Sequence, residues 1–248
     1  MEFKDYFSSQ SAIYVKSRPH YPDELFIYLT SLVKVHDLVW DCATGNGQAA
    51  IPITKYFKKV IATDGSEQQL RNAIQHEKIT YRKALADSSG IETGTVDLVT
   101  IAAAIHWMEF DKFYKEVDRV LKPGGVVAAW TYCDSEIDSD IDPIVLNLSR
   151  VFLKDYWPPE SAYARNHYKD IPMPFKRIET PEFKTSVNAN LEFIIGNMYS
   201  WSATQNYMKA TGKDPVEPIK KKLAEAWGGP LKTREIRWKI VMVAGRKE

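Results

Sequence analysis

The chain has 248 residues, 44% of them hydrophobic, with 33 lysines and arginines against 32 acids. That composition can close a full core, and the expectation is a folded chain rather than a fragment or a disordered tail. A net charge of +1 gives no electrostatic footprint for a phosphate backbone, so a nucleic-acid partner is disfavoured and a small-molecule partner expected.

The two cysteines, Cys42 and Cys133, stand beside predicted strand ends and suggest neither a disulfide framework nor a metal site. The start, Met1-Glu2-Phe3-Lys4-Asp5, lacks the apolar stretch of a secretory signal. No apolar run approaches the roughly 20 residues of a membrane span. The expectation is a soluble cytoplasmic protein with no membrane partner, a monomer or homodimer.

In chain order, an aromatic and basic lead-in reaches Ser17-Arg18-Pro19-His20-Tyr21-Pro22 and passes into the helical pattern Leu25, Leu29, Leu32, Val33. Pro22 with Asp23-Glu24 suits a helix start, because acids favour its positive end. Strands are expected near 38–41, 59–63, 79–83, 96–101 and 125–131, with helices near 47–57, 66–76 and 111–121. This alternation predicts an α/β fold, a parallel sheet with helices on both faces. Leu121-Lys122-Pro123-Gly124-Gly125 ends a helix and turns into the strand Val126-Val127-Ala128-Ala129-Trp130.

After residue 133 the chain turns acidic, then rich in Tyr, Trp and Pro over 144–180, which predicts a helical and loop insertion covering the carboxyl ends of the strands. Helices are expected near 190–209 and 215–227, the second ended by Gly228-Gly229-Pro230. A last, antiparallel strand follows at 234–245. The reading is therefore one domain, 1–248. Its core is about 34–133 with 231–248, its lid about 134–230, and its front segment 1–33.

The most informative stretch is Leu38-Val39-Trp40-Asp41, then Cys42-Ala43-Thr44-Gly45-Asn46-Gly47-Gln48, then Val60-Ile61-Ala62-Thr63-Asp64. An apolar strand ending in an acid meets a glycine loop that opens a helix, and a second strand ends in another acid. Two glycines permit positive φ and a ligand against bare backbone. The loop alone also satisfies a relaxed dinucleotide pattern, with Asp64 at the spacing of a ribose-binding acid. Asp41 separates the two cofactors: it would repel a pyrophosphate and attract the ammonium of a methionine moiety. S-adenosylmethionine is thus favoured over a nicotinamide dinucleotide. An NAD-dependent oxidoreductase and a non-catalytic cofactor-binding protein stay as alternatives.

With Tyr14 to Pro22, Asp41 to Gln48, Ile61 to Ser66, Ala103-Ala104-Ile105-His106-Trp107 and Val117 to Gly125 in hand, the chain resembles the class I S-adenosylmethionine-dependent methyltransferases. Within them it looks like the small-molecule branch containing trans-aconitate methyltransferase. The resemblance implies a Rossmann-like, doubly wound, mostly parallel seven-stranded sheet with an antiparallel last strand. It also implies S-adenosylmethionine as cofactor, S-adenosylhomocysteine as product, and no metal.

By resemblance, Asp41, Gly45 and Gly47 line the methionine part of the cofactor and Asp64 with Gly65 meets the ribose, while Ser66 caps the next helix. Asp87 lies near the adenine, and Ala103 and Ala104 leave room for the sulfonium methyl. Tyr14 and Arg18 fold over the cofactor. The family commonly has glycine where this chain has Ala43. His106 sits where the methyl should point and is a catalytic candidate, as base, as hydrogen-bond donor to a substrate carboxylate, or as the residue closing the pocket. The acceptor favoured by resemblance is a carboxylic acid, with Tyr156, Trp157, Tyr163, Tyr168 and Trp201 as its wall. Lys220-Lys221-Lys222 reads as a solvated helix face.

Overall fold

The computed structural model describes residues 19–248; Tyr14 and Arg18 lie outside the described residues. α1 (Asp23–Ser31) starts as its sequence suggests, after Pro22 and with both acids in the first turn. β1 (Leu38–Cys42), β2 (Lys59–Asp64), β3 (Ile79–Lys83), β4 (Val96–Ala102) and β5 (Leu121–Glu136) all pair in parallel. Linking them are α2 (Ala50–Ile53), α3 (Glu67–Arg71) and α4 (Phe110–Val120).

Period-two alternation splits the sheet between two cores. Val39, Leu98, Val126, Ala128 and Trp130 face α1 and α2, where Leu25, Phe26, Leu29 and Ile53 are buried. Their strand neighbours Trp40, Val99, Ile101, Val127 and Ala129 face the other way, onto Phe113, Val117 and Val120 of α4. Both faces are covered, as an α/β sheet of parallel strands requires.

Beyond β5, the insertion contributes α5 (Asp142–Leu146), a π-helical turn at Asn147–Phe152, α6 (Ser161–Arg165), α7 (Leu191–Tyr199), α8 (Ser202–Thr211) and α9 (Glu217–Trp227). It has its own core, in which Ile144, Leu148, Ile194, Met198, Leu223 and Trp227 pack with Ile236 and Trp238. The last two belong to β8 (Arg234–Arg246), which runs antiparallel to β5. β6 (Lys176–Ile178) and β7 (Phe183–Ala189) pair with the other edge of β8, giving the order β3-β2-β1-β4-β5-β8-β6 with β7 on β8.

The fold class is the one expected, mostly parallel with one antiparallel strand, and four local features differ. The sheet has eight strands in seven rows, because its outer row is split into β6 and β7. Pro181 lies in the gap and cannot donate to a ladder, while the Thr180 hydroxyl bonds to the Met242 carbonyl across it at 2.7 Å. α2 and α3 are only 4 and 5 residues long, since Pro52 removes a donor from the first and tight turns finish both. The expected helix over 190–209 breaks at Ser200-Trp201 into α7 and α8. Residues 122–125 are a bulge within β5, between the pairings of Leu121 with Val96 and Val126 with Leu98.

Among the described residues no helix is long and apolar enough to cross a membrane, and no cluster of three or more His, Cys, Asp or Glu could hold a metal ion.

Candidate functional site

β1 delivers Asp41 to its carboxyl end, where the side chain is fully buried. Its carboxylate accepts hydrogen bonds from the hydroxyls of Thr44 at 2.5 Å and Thr100 at 2.7 Å. Burial pushes its pKa up to about 6, the two hydroxyls pull against that, and the nearby Asp64 charge adds to it. The other buried acids away from the loop are met by cations: Asp97 takes the Lys122 ammonium at 2.6 Å, and Glu116 takes the Arg119 guanidinium, which holds its pKa down to about 2. Among the described residues Asp41 is met by neutral hydroxyls and no cation, a setting that favours a ligand bringing a positive charge.

Asp64 ends the neighbouring strand and ties down the loop. Its carboxylate accepts from the N–H of Gly45 and the N–H of Ser66, each at 2.8 Å. Ser66 caps α3, accepting from the Gln69 N–H at 3.3 Å, and Gly65 is the turn between the two. Asp41, Gly45, Gly47, Asp64, Gly65 and Ser66 are thus brought to one corner, between β1 and β2.

The two glycines are not equivalent. Gly45 has φ +57°, and a Cβ there would meet only the Gln69 amide oxygen, at 4.0 Å. Gly47 has φ +87°, and a Cβ there would lie 2.3 Å from the Tyr81 hydroxyl. That hydroxyl donates to the Ile74 carbonyl at 2.8 Å. Gly47 therefore admits a tyrosine of this chain against its backbone, and only Gly45 keeps open space on its Cβ side. Ala43, at the family's glycine position, has φ +53°, and Ala103, one residue beyond β4, has φ +51°. Each left-handed alanine costs on the order of 1–2 kcal/mol, and such strain collects at ligand sites.

Asp87 is exposed in a tight turn closed by the Ser88 N–H on the Leu85 carbonyl at 3.1 Å. Ala103 anchors to the sheet through its N–H on the Trp130 carbonyl at 2.7 Å. Ala104 then leads into a single 3-10 turn, Ile105–Trp107. This turn buries His106, whose Nδ1 lies 2.9 Å from the Tyr168 hydroxyl.

Ala103, His106 and Trp107 open onto a cavity of about 460 Å³. Residues 131–135 at the end of β5 form one wall, and Ser149, Arg150, Trp157, Arg165, Asn197 and Trp201 of the insertion form the other. Of the five expected wall aromatics, Trp157 and Trp201 line it, and Tyr168 stands behind His106. Tyr156 packs on Tyr207 and Tyr163 on Phe110 instead, at 4.9 and 5.3 Å between ring centres. Lys221 and Lys222 are exposed as expected, whereas Lys220 turns in over the Tyr199 ring.

Sequence reading missed Thr44, Thr100, Tyr81, Arg150 and Arg165. Thr100 had a signal, since parallel register sets it beside Asp41; the arginines, carried by irregular segments, had none.

Residues 40–129 match the family model described as a methyltransferase domain. A Dictyostelium discoideum protein named as a methyltransferase is 32% identical over 254 residues, spanning the whole of this chain and 97% of that one. A Saccharomyces cerevisiae protein named as an S-adenosylmethionine-dependent methyltransferase is 31% identical over 175 residues, 65% of this chain and 58% of its own length. The solved structure of an Anaeromyxobacter dehalogenans protein titled as a type II methyltransferase superposes with a TM-score of 0.85 at 34% identity, covering 92% of this chain and 97% of that one. A fold with strand-end acids around a glycine loop, and the full-length likeness to the Dictyostelium and Anaeromyxobacter proteins, place the chain among the class I S-adenosylmethionine-dependent methyltransferases.

Proposed function

We propose that this methyltransferase acts on a small-molecule carboxylic acid, as in the trans-aconitate branch it resembles, and methylates a carboxylate oxygen. Asp41 would take the cofactor's ammonium, Asp64 with Gly65 its ribose hydroxyls, and Asp87 its adenine. Gly45 would give the methionine part access to bare backbone, and Gly47 and Ser66 would hold the loop and the following helix in shape. The residues fit that ligand: Asp41 is buried with no cation beside it among the described residues, and Gly45 is open where a side chain would intrude. When bound, the sulfonium supplies a methyl group, the acceptor oxygen gaining the carbon as the carbon–sulfur electron pair stays on sulfur.

The chain's own work is alignment and exclusion of water. Ala103 and Ala104 keep side-chain bulk away from the end of β4, and the insertion, 134–230, walls the acceptor in. The core, 34–133 with 231–248, would carry the cofactor; the covering role of the front segment, 1–33, with Tyr14 and Arg18, rests on the resemblance alone. A carboxylate is already ionised at neutral pH and needs no base, so His106, braced by Tyr168, serves as a hydrogen-bond donor to the acceptor. The observation that carries the reading is the cavity opening at Ala103 and His106, in the strand row next to the Asp41 loop.

The test is a screen of small acids with S-adenosylmethionine, read as methyl ester and S-adenosylhomocysteine by mass spectrometry, with the pH profile of wild type and His106→Gln. The expected result is ester formation with a rate flat from pH 6 to 8. Methylation of a hydroxyl or amine, with a rising limb in the pH profile that His106→Gln removes, would overturn it.

A further inference from the structure

We propose that Arg165 is the specificity-determining anchor of the cavity. It would hold a second acidic group of a planar aromatic diacid whose other carboxylate lies at the Ala103 and His106 end. The inference rests on the acceptor reading above and adds to it the acceptor's shape, its second charge and the residue that selects it.

Charge is the first ground. Among the described residues, the Asp, Glu, Lys and Arg side chains that line the cavity are Asp134, Arg150 and Arg165. Arg150 forms an ion pair with Asp134, so these two offset each other. Arg165 has no carboxylate partner among the described residues, and its guanidinium lies over the Trp157 ring, 5.7 Å from the centroid. A guanidinium held by stacking is pre-oriented and keeps its N–H fork for a carboxylate, which it binds in bidentate fashion. Among the described residues the cavity lining therefore carries one uncompensated positive charge, on an exposed side chain that rests against Trp157.

Shape is the second. Trp157 and Trp201 stand 6.0 Å apart at 40° along one wall, with Trp107 and Trp238 also lining the space. Flat indole walls favour a flat aromatic body, and the volume of about 460 Å³ suits a ligand of one or two rings.

Linkage is the third. Four residues join the anchor to the reacting end: Arg165 closes α6, and Tyr168 reaches His106 at 2.9 Å. The backbone between them makes this turn through His167 and Tyr168, both at φ +56°. Two consecutive left-handed residues are a sterically expensive way to connect two side chains. Here they deliver one to the cavity wall and the other to the back of His106.

The test titrates terephthalate and 2,6-naphthalenedicarboxylate, with benzoate and 2-naphthoate as the matched monoacids, into the protein saturated with S-adenosylhomocysteine. Binding is followed by calorimetry for wild type, Arg165→Gln and Arg165→Lys. The expected result is that wild type binds each diacid roughly tenfold or more tightly than its monoacid. Arg165→Gln should abolish that preference with S-adenosylhomocysteine affinity unchanged, and Arg165→Lys should restore only part of it. No diacid preference in wild type, or one that survives in Arg165→Gln, overturns the anchor. Failure of S-adenosylhomocysteine to bind on the same samples would instead strike the cofactor reading.

Discussion

The loop between β1 and β2 and the cavity under the insertion, which the proposed function joins in one site, are built in opposite ways. Asp41, Thr44, Gly45, Asp64 and Ser66 lie within 26 consecutive residues and fix one another through backbone and hydroxyl hydrogen bonds. The cavity draws on Ala103, Thr131, Arg150, Arg165, Asn197 and Trp238, held by packing between distant segments. A site of the first kind is rigid and demands particular residues. One of the second kind can change its ligand by exchanging wall residues while the sheet beneath stays the same.

The sharpest way to break that contrast is at the glycines. Gly47→Ala drives a Cβ into the Tyr81 hydroxyl at 2.3 Å and sets an alanine at φ +87°, so thermal or denaturant unfolding should show a loss of about 3 kcal/mol. Tyr81→Phe in the same chain should recover part of it. Gly45→Ala should cost less stability, about 1–2 kcal/mol from its positive φ, and should act mainly on cofactor affinity. Equal effects of the two substitutions on both quantities would remove the distinction drawn between them.

Acid provides the next test. A cationic ligand favours ionised Asp41, whose pKa is about 6, so S-adenosylmethionine affinity should fall by up to about tenfold per pH unit below 6. Asp41→Asn should flatten that dependence. For the ligand-free protein the sign is opposite. The folded pKa lies above the unfolded value of 3.8, so the folded chain holds the extra proton and this group's contribution to stability falls as pH rises from about 4 to 6.

On the cavity side, Tyr168→Phe removes the hydroxyl from His106. It should lower stability by about 1 kcal/mol and reduce turnover while cofactor affinity stays constant. Ala43→Gly is the smallest change. It relieves φ +53° at the loop and should raise stability by about 0.5–1 kcal/mol, measured by chemical denaturation.

The same contrast explains what could be read from the sequence. Val39, Val60, Val99 and Val127 sit in apolar runs bounded by glycine and acid, so strand positions, both covered faces and the loop were legible. β7, Phe-Lys-Thr-Ser-Val-Asn-Ala, does carry the alternation of a strand with one covered face, Phe183, Thr185, Val187 and Ala189 against Lys184, Ser186 and Asn188, but it is a short run inside the Pro-rich insertion. Gly47 looked identical to Gly45 until the Tyr81 side chain was placed against it. Arg165 and His167 sit in a short helix and a left-handed turn with no periodicity, so their convergence with His106, 59 residues from Arg165, depends on tertiary packing alone.

The central claim is that the Asp41 and Asp64 corner takes S-adenosylmethionine. Its most direct test is isothermal titration of wild type and Asp64→Ala with S-adenosylmethionine, S-adenosylhomocysteine and NAD. Binding of the first two to wild type, lost in Asp64→Ala while circular dichroism shows the fold retained, is the predicted result. Binding of NAD alone, or sulfonium binding untouched by Asp64→Ala, would contradict it.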